Sequence, residues 1–238
     1  MKFDELFPYS YRSLSRQWMP GSLLWMRCLS ADSQFCRAVV ANGYLSFEQM
    51  VRTAVRYRLG VSRQGGVIFW QIDHEERVRD GKVMYYREDC HRDKEHNPTW
   101  VSSLLRRRYH WPEKHQGSHC FFGTHLLRQT DGPVAVVESE KTAFIMSGRL
   151  PRYIWLAAGG LGEIQTDKFR PLRGRRVILF PDTDPEGIAY KRWYEAAEDV
   201  MRQPFWEGSP PIYVAPLLEQ RASLEQKAAK IDIVDLIY

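Results

Sequence analysis

Two acids stand where a hydrophobic run stops. In RRVILFPDTDPEG, residues 175–187, Val177, Ile178, Leu179 and Phe180 lead into Asp182 and Asp184. Upstream by 44 residues, a second apolar run, Val134 to Val137, ends in Glu138. In an extended segment residues i and i+2 point the same way, so both acids of Asp-x-Asp can reach one ion. Three carboxylates brought together raise one another's pKa unless a cation lies among them. A hard divalent cation with oxygen ligands, Mg2+ or Mn2+, meets that need. Asp, Pro and Gly are also ordinary turn residues, so the spacing alone leaves a plain turn open.

Whether these acids meet depends on the elements that carry them. After RQTDGP the pattern alternates. Strands are predicted at 134–138, 153–158, 176–180 and 211–216. A helix is predicted after Ser139, a plausible N-cap, ending at Gly148. Another is predicted over 185–203, with Ala189, Trp193, Ala196, Ala197 and Val200 on one face. Strands alternating with helices give an α/β fold with a parallel sheet flanked by helices. Functional groups in such sheets sit at the carboxyl ends of the strands. Glu138 and Asp182 would then open on one edge. A phosphate-binding GxxxxGK[ST] loop is absent, and GGLGEI (159–164) lacks GxGxxG spacing.

Residues 1–60 read as a helical segment. Phe47, Met50, Val51, Ala54, Val55 and Leu59 fall at helical spacing, and Gly60 stops the run. Residues 61–130 read as a smaller basic α+β segment that precedes the α/β segment at 131–238. It holds a hairpin over 66–87 with Asp80-Gly81 in its polar turn, then a loop over 88–99. In residues 100–111, Arg106, Arg107 and Arg108 adjoin Tyr109 and Trp111. Arginines beside aromatics suit a nucleic-acid strand, and they equally suit a helix C-terminus.

Charge is uneven. Residues 1–130 carry 20 Lys and Arg against 13 Asp and Glu, whereas residues 131–238 carry 14 against 16. A basic surface attracts polyanions such as nucleic acid. Apolar residues make up 44% of the 238 and charged residues 26%, as in globular proteins. No window approaches ~18 consecutive apolar residues, so no membrane span or membrane partner is expected. Asp4 and Glu5 interrupt the N-terminus, which argues against a secretory signal and for a cytoplasmic location. Cys28, Cys36, Cys90 and Cys120 include no CxxC pair, so neither a zinc ribbon nor a disulfide scaffold is expected. Cys90–His91 and His119–Cys120 read as scattered thiols and surface histidines rather than metal ligands.

Taken together, VAVVESEKTAFIMSG, WLAAGG and LRGRRVILFPDTDPEG resemble a TOPRIM domain, the catalytic fold of DnaG-type primases, type IA and II topoisomerases and some nucleases. The strand-rich basic stretch before it, together with CFFGTHLL, is similar to primase-like TOPRIM proteins of bacterial mobile elements. The resemblance covers roughly residues 45–238. It implies a TOPRIM-type sheet, Glu138 as the acid–base residue, and Asp182 and Asp184 as Mg2+ ligands. KIDIVDLI resembles the acidic segment that closes such domains, which adds Asp232 and Asp235. Ser139 stands where many TOPRIM domains have Gly, and Thr142 where primases often have an acid.

The resemblance implies a DNA primase-like nucleotidyltransferase that acts on single-stranded DNA with nucleoside triphosphates, among replication or mobilisation proteins. A TOPRIM nuclease and a non-catalytic binding scaffold are the alternatives. Arg63, Arg77, Arg79, Lys82 and Arg106 to Arg108 are the candidate track for the nucleic acid. Lys141, one turn into the first helix, could reach a phosphate or stand as a solvated surface lysine.

Overall fold

A computed structural model describes residues 30–109 and 119–237. Cys28 and Trp111 lie outside the described residues, as do the side chains of Arg106, Arg108 and Tyr109. Helix α1 (Gln34–Ala41) starts at Ser33, whose hydroxyl accepts the Cys36 amide. Helix α2 (Phe47–Tyr57) starts at a reciprocal capping box between Ser46 and Gln49. It stops at Arg58 in the left-handed region (φ 54°), two residues before the expected Gly60. Met50, Ala54 and Tyr57 are buried, whereas Phe47 and Val55 face solvent. The apolar stripe read from sequence was thus too wide, and the packing partner selects the face. The Tyr57 hydroxyl donates to the Trp155 carbonyl at 2.6 Å, which ties α2 to the later sheet.

An antiparallel sheet follows, ordered β1 (Gly60–Val61), β2 (Val67–Ile72), β3 (Val78–Met84) and β4 (Thr99–Trp100). Its hairpin turns at residues 73–77, not at Asp80-Gly81. Asp73 closes the turn by accepting the Glu75 and Arg77 amides at 2.9 and 3.0 Å. Gly81 lies mid-strand opposite Trp70. A Cβ there would come within 2.7 Å of the Trp70 ring, so Gly is needed for close packing. Strand alternation divides the sheet's side chains. Ile68, Trp70, Ile72 and Val83 pack with Val101 of α3 (Val101–Tyr109). Val67, Phe69 and Met84 join the main core instead. Lys82 is paired opposite both Phe69 and Trp100, so it points to that same inner side.

The second sheet is parallel throughout, as the alternating pattern predicts. Its order is β6 (Ile154–Ala157), β5 (Val134–Val137), β7 (Val177–Phe180) and β8 (Tyr213–Val214). β5 and β6 are buried along their length, hence their unbroken apolar runs. Helix α4 (Glu140–Arg149) connects β5 to β6, and α5 (Ile188–Met201) connects β7 to β8. The two crossovers run in opposite directions along the sheet, so the right-handed rule puts their helices on opposite faces. Accordingly α4 packs with α2, and α5 with the 3-10 segment Thr166–Leu172. Phe122 bridges Ala157 and covers the outer edge of β6.

Three short helices close the chain: α6 (Leu217–Arg221), α7 (Leu224–Ala229) and α8 (Ile233–Ile237). One core runs from Phe35 to Val234 and crosses all three expected segments. Burying each of its large side chains contributes ~1.5–3 kcal/mol. Among the described residues no helix is long and apolar enough to cross a membrane.

Candidate active site

β5 and β7 are direct neighbours, with Val137 paired to Phe180. Glu138 follows one of these residues and Asp182 stands two beyond the other, so both leave the sheet at the same edge. The chain departs from β5 toward β6 and from β7 toward β8, on opposite sides. Such a reversal marks the crevice at which open α/β sheets bind their ligands.

Electrostatics mark the same place. Burial pushes the Glu138 carboxyl up. A hydrogen bond from the Leu161 amide and the charge of Lys82 oppose the rise, and Asp232 adds to it. Burial also pushes Asp182 well up, and Glu138, Asp232 and Asp235 push it further, with Lys141 opposing. These acids are therefore mutually unfavourable as anions and lack a full counter-charge from the protein.

Asp184 is placed differently. Its Oδ1 accepts the Glu186 and Ile188 amides at 3.1 and 3.0 Å, and its Oδ2 accepts the Ala189 amide at 2.7 Å. Burial would raise its pKa, but these amides hold it below the ordinary carboxylate value. Asp184 staples the first turn of α5, and the intervening Thr183 donates to Glu219 at 2.8 Å. The i, i+2 rule expects both carboxylates at one ion, and both Asp184 oxygens here also serve backbone amides. The strand ends at Phe180, residues 181–184 are irregular, and the turn follows at Pro185 and Glu186.

Asp232 and Asp235 come to the site from the C-terminal segment. Asp232 Oδ1 accepts the Val234 and Asp235 amides at 2.7 and 3.1 Å, while Asp235 Oδ2 accepts the Asp232 amide at 3.1 Å. This reciprocal cap starts α8. The other Asp232 oxygen accepts the Thr142 hydroxyl and lies 3.9 Å from the Lys141 ammonium. Lys141 is thus largely buried rather than a solvated surface lysine. Burial would lower its pKa, but Asp232 and Asp235 more than offset this and raise it.

The expected nucleic-acid track divides. Arg63 and Arg107 are exposed. Arg77 and Arg79 direct their Nε atoms to Asp73 at 2.9 and 2.7 Å and brace the hairpin turn. Lys82 reaches Glu140 Oε1 and Oε2 at 3.2 and 3.1 Å, and the Gly159 carbonyl at 2.9 Å. Both side chains are nearly buried, so Lys82 is an internal ion-pair partner. Sequence reasoning passed over Glu140 and Leu161. Glu140 lies in the first turn of α4, and Leu161 contributes only a backbone amide. The one available signal was Gly159-Gly160, both at positive φ, which shapes the loop that carries that amide.

Among the described residues no group of three or more His, Cys, Asp or Glu is gathered closely enough to hold a metal ion. Cys36 and Cys90 are buried and free, and His119 stacks on Trp100. The donors at the crevice nevertheless suit Mg2+, which usually binds one or two carboxylates and completes its shell with waters and substrate phosphates.

A family model described as "Domain of unknown function (DUF6371)" matches residues 33–183. The chain belongs to this family. The matched span holds Glu138 and Asp182, and it ends before α5 and Asp232. No curated protein matches the chain. Among solved structures, the chain is similar to the primase fragment of the bacteriophage T7 primase-helicase protein. The identity is 20% and the TM-score 0.45, over 75% of this chain and 63% of that one.

Proposed function

We propose that this chain is a metal-dependent nucleic-acid enzyme of the TOPRIM class, a primase-like nucleotidyltransferase acting on single-stranded DNA. One observation carries the reading. Glu138 and Asp182 leave adjacent parallel strands at the chain-reversal crevice, and burial and like charge push both up. A divalent cation supplies the missing positive charge, and when bound it neutralises phosphate oxygens and orients the attacking one.

Asp182 is the principal ligand in this reading, with Glu138 beside it. Asp184 holds the α5 turn so that Asp182 stays at the crevice. The raised pKa of Glu138 suits a residue that takes up and returns a proton. Lys141 and Lys82 offset part of the negative charge without filling the crevice. Segment 61–130 supplies the surface for the DNA strand, with Arg63 and Arg107 exposed for phosphate contact. Nucleoside triphosphates are the second substrate. Positioning and charge carry most of the catalysis in such transfers.

The test is an assay of purified protein with Mg2+ or Mn2+, single-stranded DNA and labelled nucleoside triphosphates. New oligonucleotides that vanish in Asp182→Asn are the expected result. Shortened DNA would move the assignment to a TOPRIM nuclease. Absence of both products, or products equally abundant from Asp182→Asn, would overturn the catalytic reading.

A further inference from the structure

Trp100 and His119 form a stack, with ring centroids 4.1 Å apart and an interplanar angle of 24°. A stack of flat rings extends readily to one more ring. Asp80 holds this pair in place. Its Oδ1 accepts the Gly81 and Ser102 amides at 2.7 and 3.0 Å. Its Oδ2 accepts the Ser102 hydroxyl at 2.6 Å and lies 3.4 Å from His119 Nε2. The Asp80 side chain is 2% exposed and that of His119 28%. The anchor is therefore interior, and the ring that it orients reaches solvent.

The stack lies near the sheet edge where Glu138 stands. Trp100 is paired with Lys82 on the adjacent strand, ~4.8 Å away. The Lys82 ammonium reaches the Gly159 carbonyl, and the Gly159 amide donates to the Glu138 carbonyl at 2.9 Å. Charge decides what this wall suits. Lys82 is matched by Glu140, Lys168 by Glu163 at 3.0 Å, and Asp80 by Ser102 and His119. With these charges matched, the wall favours a flat, uncharged ring over a phosphate.

We propose that the Trp100–His119 stack is a nucleobase platform, on which a base stacks against His119 while the phosphates of its nucleotide or strand lie toward Glu138 and Asp182. This inference rests on the nucleic-acid reading above and adds the place where a base is held. The base belongs either to the DNA strand or to a nucleoside triphosphate, and the two arms of the test tell these apart.

The test uses the full chain with Mg2+ and compares each base-bearing ligand with its base-free counterpart. Fluorescence anisotropy compares labelled oligo(dT) with an abasic strand of the same length. Calorimetry compares ATP with inorganic triphosphate. Stacking one base on an aromatic ring strengthens binding ~5–150-fold. His119→Ala should remove a preference of that size and leave the base-free ligands bound as before. Trp100→Phe keeps a ring in the stack and should retain most of the preference. Loss with oligo(dT) alone assigns the base to the strand, and loss with ATP alone to the nucleoside triphosphate. A preference kept with both ligands in His119→Ala would overturn the proposal. So would equal weakening of base-bearing and base-free ligands, the mark of a purely structural role. If His119→Ala does not fold, the same comparisons on His119→Leu, which keeps bulk without a ring, decide in the same way. A wild-type chain that binds none of the four ligands refutes the nucleic-acid reading along with this inference. A wild-type chain whose base preference survives in the His119 variants loses only the platform.

Discussion

Lys82 and Glu140, 58 residues apart, form a nearly buried ion pair in which one ammonium touches both carboxylate oxygens. The same ammonium takes the Gly159 carbonyl at 2.9 Å. The antiparallel sheet is thereby fastened to the first turn of α4 and to the loop after β6, on either side of Glu138.

Breaking that pair from one side leaves a buried charge without its partner, which typically costs ~3–5 kcal/mol. Lys82→Met should therefore destabilise the fold by about 3 kcal/mol. Adding Glu140→Met should return much of the loss. Urea denaturation of both single variants and the double variant measures this, and purely additive losses would show that the two residues do not couple.

Asp182 and Asp184 should behave in opposite ways. Asp184→Ala strips three amides at the start of α5 of their acceptor and should cost ~1–2 kcal/mol of stability. Asp182→Asn removes a repelled charge and should leave the metal-free protein as stable as the wild type or more so, while weakening Mn2+ binding. Melting curves with and without Mn2+ separate the two. Loss of stability in Asp182→Asn comparable to that in Asp184→Ala would contradict the assignment.

Gly81→Ala should destabilise by ~1–3 kcal/mol through overpacking. The new methyl would lie 2.7 Å from Trp70 Cε3 and 2.9 Å from Ile68 Cγ2. Trp70 fluorescence during chemical denaturation reads the shift, and a midpoint within error of the wild type would contradict it.

His125 is fully buried, its Nε2 lies 3.1 Å from the Arg56 carbonyl, and burial pushes its pKa down to about 4. Above ~6.5 the ring is neutral in both folded and unfolded chains and makes no pH-dependent contribution. As pH falls from there toward 4, the unfolded chain takes up a proton that the folded chain refuses. Stability then drops by on the order of 3 kcal/mol, and the loss levels off below the folded pKa. Thermal melts across this range should show the fall, and His125→Gln should flatten it. An unchanged slope in that variant would place the acid sensitivity elsewhere.

Much of the fold was legible in local pattern. The short apolar runs at 134–137 and 177–180 read as interior strands because they place apolar side chains on both faces, although β7 buries only Val177 and Leu179 fully. Ser139 was legible as a helix cap because its hydroxyl serves an amide three residues on. The hairpin turn was not, since Asp80-Gly81 has the composition of a turn, and only the size of Trp70 across the sheet explains a glycine in mid-strand.

The sequence by itself determined which residues end the strands, and therefore that Glu138 and Asp182 lie at carboxyl ends. Tertiary structure alone decided that β5 and β7 are neighbours, because strand order depends on long-range pairing that no local period encodes. It also decided the partners. Asp184 turned to the α5 amides, Arg77 and Arg79 to Asp73, and Lys82 to Glu140. A charged side chain that folding takes out of water must find an opposite charge or a hydrogen bond. Which one it finds depends on what the chain brings near it from tens of residues away.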